Sequence, residues 1–136
     1  MSLRQRKEIQ EVLRDLTPRP REAAVCLAGG ALFALCLPRP GFCLLAWLAP
    51  TALFRALGRA RSSVEGAALG GIFGFAFCLV SLRWIYDTCR FAGVAVPIAA
   101  LAVTALGAGL AVSWALFGAI ARRAVVGLPA AARPWA

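Results

Sequence analysis

The sequence predicts an all-α membrane protein of about four transmembrane helices, the first two short, preceded by an N-terminal amphipathic helix. Three observations predict it. Apolar residues make up 61% of the 136-residue chain and mean hydropathy is +0.77, against the 45–50% typical of soluble domains. They fall in blocks that are apolar all round, without the polar face a soluble helix keeps. The basic residues gather at the ends of those blocks, on alternate sides.

Residues 1–22 read as a cytoplasmic basic segment. Ile9, Val12, Leu13 and Leu16 repeat at helical spacing, with Arg4, Arg6, Lys7 and Arg14 on other faces. That pattern suits a helix lying on an anionic membrane surface. Thr17-Pro18-Arg19-Pro20 ends it.

The helical domain follows at residues 23–121. Its first block is Ala23–Leu37, closed by the turn Pro38-Arg39-Pro40-Gly41, and its second is Phe42–Leu57, with Pro50 inside. Both fall short of the roughly 20 residues that a span needs. Arg21 and Arg55 extend them by snorkelling, or the two form a re-entrant hairpin. The third block, Val64–Leu82, carries Gly66, Gly70 and Gly74 on one stripe, the small-residue pattern that lets membrane helices approach. Arg83–Gly93 is then a polar outer loop. The fourth block, Val94–Ala121, has Pro97 in its first turn and a second small-residue row, Ala105, Gly109 and Ser113. Arg122-Arg123 stop it, and residues 122–136 form a short cytoplasmic tail.

Charge sets orientation. With the N-terminus inside, the cytoplasmic segments hold Arg4, Arg6, Lys7, Arg14, Arg19, Arg21, Arg55, Arg59, Arg61, Arg122, Arg123 and Arg133, and the outer segments hold Arg39, Arg83 and Arg90. Twelve against three follows the positive-inside rule. The net charge of +9 therefore reads as topology and not as nucleic-acid binding, because no basic stripe carries interleaved aromatics. A cleaved signal peptide is not expected, since no small-x-small site follows Leu37.

The residues leave little room for catalysis. The chain has no His, and its single Lys is Lys7, so neither a Ser-His-Asp triad nor an outer-face Cys activated by Lys can be assembled. Cys26, Cys36, Cys43, Cys78 and Cys89 lack CxxC spacing, so no metal and no cofactor is expected. The spans carry essentially no charge, which speaks against a proton-coupled transporter. The candidate site is the outer stretch. Trp84 and Tyr86 suit the headgroup zone, and Arg83 and Arg90 suit a phosphate; an aromatic belt with snorkelling arginines is the plainer reading.

From Cys26 onward the chain resembles the N-terminal membrane region of bacterial apolipoprotein N-acyltransferases. The resemblance is carried by residues 27–57, 66–97 and 113–123: a short first helix, a proline turn before a Trp-bearing helix, a Gly/Phe-rich third helix, then Trp84-Ile85-Tyr86 and Phe91-Ala92-Gly93 before Pro97. Asp87, Cys89 and Arg90 depart from the family's pattern. The resemblance implies a multi-pass protein of the bacterial inner membrane, working with phospholipids and diacylglyceryl lipoproteins. The family moves an acyl chain to the lipoprotein's α-amino group through a thioester on a nitrilase-like domain that uses Glu, Lys and Cys. That domain lies further along the family's sequence. No residue of this chain inherits a catalytic role, and a truncated or split enzyme, inactive alone, is expected. Trp84 and Tyr86 would lie where acyl chains enter. Two alternatives stand beside this: a stand-alone interaction subunit pairing through Gly66, Gly70 and Gly74 with a nitrilase-like catalytic chain, and a small four-helix transporter.

Overall fold

Proline decides where the first helix starts. In the computed structural model, which describes residues 10, 17–37 and 43–127, α1 is Pro20–Ala34, with the proline in its first turn. A missing N–H costs nothing there. Cys26, Gly29, Gly30 and Ala34 are its buried side. Its last turn tightens, the Leu35 N–H reaching the Ala31 and Leu32 carbonyls at 3.3 and 3.2 Å. The expected N-terminal amphipathic helix falls outside the described residues apart from residue 10, as do the Pro38–Gly41 turn and the tail beyond residue 127.

Helix α2 is Cys43–Arg59 and runs through Pro50. In the same turn the Thr51 hydroxyl donates to the Leu48 carbonyl at 2.5 Å. Helix α3 is Ser63–Ser81. Its start is a capping motif: Ser62 is extended, and its Oγ accepts the Glu65 N–H at 3.1 Å.

The polar stretch expected as a loop is instead a helix, α4, Arg83–Phe91, separated from α3 by Leu82 alone. Its end explains why it forms. Gly93 has φ +81°, its N–H donates to Arg90, and the Val94 N–H donates back to Cys89 at 3.0 Å. This is a Schellman cap with glycine at the position that needs a left-handed backbone. Helix α5, Val96–Gly127, has Pro97 in its first turn and continues through Arg122-Arg123, which do not stop it.

Among the described residues the protein is all helical, with no strand. Two stretches, Ser63–Phe91 and Val96–Val126, are long and apolar enough to cross a membrane. At 15 and 17 residues, α1 and α2 reach only about 22 and 25 Å at 1.5 Å per residue.

Helix α3 sits between α5 on one side and α1 with α2 on the other. The buried core joins Cys26, Leu53, Ala56, Leu57, Ala60, Leu69 and Phe73, with Phe33, Ile72, Trp114 and Ala121 against it. Phe33, Phe73, Phe77 and Trp114 form a ring cluster with centroids 5.1–6.3 Å apart, in tilted and edge-on arrangements that aromatic rings favour.

The glycine stripe of α3 is covered by α5 of the same chain. A Cβ on Gly70 would run into the Trp114 carbonyl, and its Cα lies 3.2 Å from where a Cβ on Gly118 would stand. Gly66 and Gly74 meet Gly118, Arg122 and Trp114 in the same way. The stripe is thus occupied within the chain and is not open to a separate one. On α5 the facing residues are Gly107, Ala111, Trp114 and Gly118. Ala105, Gly109 and Ser113 are exposed. Two positions along a helix is about 200° around it, so that row turns away from α3.

One end of the bundle collects the start of α1, the end of α2, the start of α3 and the end of α5. Arg59 Nη1 pairs with Glu22 at 3.2 Å, and Arg122 Nη1 donates to the Gly58 carbonyl at 3.4 Å. Glu65, 1% exposed, accepts from the Arg61 N–H, Nε and Nη2 at 2.5, 3.0 and 3.1 Å, and from the Arg19 backbone. Arg61 Nη2 also reaches the Thr17 carbonyl at 3.4 Å.

Substituting leucine for Gly70 is expected to lower stability by about 1–3 kcal/mol through overpacking, read as a fall in melting temperature in detergent. The same change at Gly109, where a Cβ meets nothing within 4 Å, leaves the melting temperature unchanged. Equal effects at the two positions would contradict the packing.

Candidate functional site

Opposite the basic end, α4 lies across the top of α5. Nine residues at 100° each divide its surface three ways. Arg83, Asp87 and Arg90 form a charged edge. Ile85, Tyr86 and Cys89 are half-buried toward the bundle, while Trp84 and Phe91 project outward at 64% and 97% exposure.

A cavity of about 370 Å³ opens where α3 and α4 meet α5, lined by Leu79, Val80, Arg83, Tyr86, Ala100, Val103 and Thr104. Its lining is mostly aliphatic, with the Arg83 guanidinium and Tyr86 phenol at the α4 end and the Thr104 hydroxyl about one turn beyond Ala100 along α5. The Thr104 hydroxyl is turned to its own helix, donating to the Ala100 carbonyl at 2.8 Å. Arg83 Nε stands 4.0 Å from Asp87 Oδ2, with both side chains largely in the open (83% and 64%). Such an exposed pair holds little energy and leaves the guanidinium available. Arg90 is committed elsewhere: Nη1 donates to the Val94 carbonyl at 2.7 Å, closing the end of α4.

The four residues singled out in this stretch are therefore not one constellation. Arg83 and Tyr86, three apart, share the cavity. Trp84, two residues from Tyr86, turns about 160° away. Arg90 braces the cap. Thr104 and Val103 complete the cavity from a different apolar block, and no local pattern in the sequence marks them.

A second cavity, about 420 Å³, runs between α2 and α5 and is lined by Pro50, Leu53, Phe54, Ser113, Trp114 and Phe117. It is apolar apart from Ser113, and Phe54 stands edge-on to Phe117 at 6.1 Å. A mostly aliphatic cavity with a guanidinium and a phenol at its α4 end matches a molecule with an anionic head and a hydrocarbon tail. The α2–α5 groove offers hydrocarbon contact alone.

The family model for the apolipoprotein N-acyltransferase N-terminal domain matches residues 29–136, a range that takes in every residue lining both of these cavities. No curated protein and no solved structure matches the chain.

The cap at Gly93 holds α4, and with it Arg83 and Tyr86, at the cavity. Replacing Gly93 with Ala forces a Cβ onto a left-handed backbone and is expected to cost about 1 kcal/mol. Amide hydrogen exchange is expected to speed up several-fold in α4 while α3 amides keep their protection. Unchanged exchange in α4 would show that the cap does not hold the helix.

Proposed function

The chain belongs to the apolipoprotein N-acyltransferase N-terminal domain family, and from that premise we propose that it is the membrane-embedded part of an enzyme transferring an acyl chain from a phospholipid to the amino terminus of a diacylglyceryl lipoprotein. The observation that carries this reading is the amphiphilic cavity inside the matched residues. Arg83 and Tyr86 would take the phosphate of the donor lipid, while Leu79, Val80, Ala100 and Val103 contact the upper part of its chains. Trp84 and Phe91, facing outward, would sit in the headgroup zone and set the depth of α4. The acyl-transfer chemistry falls to a nitrilase-like domain, on this polypeptide or another, and no residue of the helices is assigned to it.

Membrane insertion is supported by the outer face of α5, where Ile98, Leu101, Val112, Leu116 and Ile120 are 56–69% exposed. An apolar face of that extent is unfavourable in water. In this reading all four apolar segments are embedded in the bacterial inner membrane. Helices α1 and α2 are short of the bilayer's roughly 30 Å, and Arg21, Arg55 and Arg59 reach to the interface to close the difference. Arg19, Arg21, Arg55, Arg59, Arg61, Arg122 and Arg123 lie toward one end and Arg83 and Arg90 toward the other. The basic end is then cytoplasmic and α4 faces outward.

Two measurements test this. In a complete acyltransferase carrying these helices, Arg83→Gln with Tyr86→Ala is expected to raise KM for phospholipid about tenfold with kcat little changed. That is the pattern for loss of ground-state binding, of the size of one charged hydrogen bond. Unchanged kinetics end the assignment of this cavity. For orientation, a variant keeping Cys89 alone is expected to react with a membrane-impermeant maleimide added outside intact spheroplasts. Labelling only after lysis would invert the topology.

A further inference from the structure

The polar contacts of α4 all stay within the helix and its cap. Arg83 pairs with Asp87 at 4.0 Å, the Thr88 hydroxyl donates to the Trp84 carbonyl at 2.8 Å, and Arg90 donates to the Val94 carbonyl at 2.7 Å. Among the described residues no hydrogen bond, ion pair or ring contact runs from α4 to α5, or to α3 before Leu82. No residue of α4 is buried, and its inward face is the half-buried Ile85, Tyr86 and Cys89. At the basic end, by contrast, Arg59 and Arg122 reach across to other helices.

Both ends of α4 are narrow joints. The Leu82 N–H closes α3 on the Cys78 carbonyl at 2.8 Å, and the Leu82 carbonyl opens α4 by accepting the Ile85 N–H at 2.9 Å. One residue thus serves two helices. At the other end the Val94 N–H and carbonyl both bond back into α4, to Cys89 and Arg90. The Ala95 carbonyl already belongs to α5, accepting the N–H groups of Ile98 and Ala99 at 3.1 and 3.0 Å. Among the described residues no hydrogen bond crosses the link between Val94 and Ala95. A helix whose bonds are its own, joined at two such points, moves as one piece while its neighbours stay packed.

The cavity of about 370 Å³ is shared between that piece and the rest. Arg83 and Tyr86 come from α4, and the aliphatic lining comes from α3 and α5. A phospholipid with its head on Arg83 and Tyr86 and its chains on that lining touches both at once, so it favours the state in which they are together. We propose that α4 is a lid that turns on Leu82 and on the Val94–Ala95 link. Open, it admits a phospholipid from the side; closed, as in this structure, it is held down by the lipid it covers. Ile85 is its apolar catch. The proposal rests on the donor-lipid reading of this cavity, but not on acyl transfer or on orientation in the membrane.

The test uses the whole chain in an uncharged detergent, with its native cysteines replaced by alanine. Spin labels are placed on Thr88→Cys, exposed at the middle of α4, and on Gly109→Cys, where a side chain meets nothing within 4 Å. Pulsed electron–electron resonance then reads the separation, and calorimetry on the same sample reads binding of dioctanoyl phosphatidylglycerol. Two separations are expected without lipid, and saturating lipid collapses them to the shorter. Ile85→Ala raises the share of the longer one severalfold, because apolar contact with the bundle is lost, while the melting temperature stays unchanged. A single separation without lipid overturns the lid. So does lipid that binds and leaves both populations as they were; the cavity would then keep its lipid and lose its cover. Lipid that does not bind at all removes the donor-lipid reading of the cavity and the lid with it.

Discussion

The fold turns on one backbone contact, where Gly70 of α3 and Gly118 of α5 leave no room for a side chain between them. Two helices that close are fixed in roll as well as in distance, because any rotation brings a Cβ into the gap. The roll of α5 then decides the rest. It seats Trp114 among Phe33, Phe73 and Phe77. It also turns Ala105, Gly109 and Ser113 outward. The pair opens away from this point. A Cβ at Gly107, further toward α4, would find its nearest neighbours at 3.6–3.8 Å, an ordinary contact. Beyond it, at Ala100, Val103 and Thr104, the gap is wide enough to be a cavity. The cavity is the far side of the same crossing.

The two ends of the bundle are built differently. At the basic end, charge-assisted bonds tie four helix termini together: Arg61 to the buried Glu65, Arg59 to Glu22, Arg122 to the end of α2. Glu65 is sequestered from water and accepts from Arg61 and the Arg19 backbone, the arrangement that makes a buried carboxylate tolerable. At the other end α4 has no buried residue, and its one ion pair is exposed and long. Elements with few buried contacts are those that open first. The candidate site is therefore carried by the looser end and referenced to the tighter one.

Much of the architecture was legible because its signals are local. The apolar blocks marked α1, α2, α3 and α5, and Pro97 fell in a first turn as expected. Other local signals were present and outweighed. Gly93 caps α4, yet the polarity of Arg83–Gly93 pointed to a loop. Ser62 and Glu65 form a capping motif at the head of a block marked only by its apolar run. What stayed hidden depends on rotation. A strict four-residue row drifts about 40° per step, and the real interface, 107, 111, 114 and 118, alternates steps of four and three. It also contains a tryptophan, which no search for small residues finds. The same reasoning separates Trp84 from Tyr86: a W-x-Y pair on a helix faces two directions. Thr104 entered the site only through tertiary packing.

The charge-free spans, which argued against proton-coupled transport, agree with the proposed role for a physical reason. An enzyme acting on phospholipids has a substrate whose tail is most stable in hydrocarbon and whose head is most stable in water. Helices that exposed polar groups at mid-depth would draw in water and disturb that arrangement. In the proposed role, helices whose charged groups lie toward their ends would let the tail remain in the bilayer while the head meets Arg83 and Tyr86 at the surface. Charge placed at the α4 end of the cavity and none deeper in it would keep such a substrate at the height where a water-facing catalytic domain could reach it.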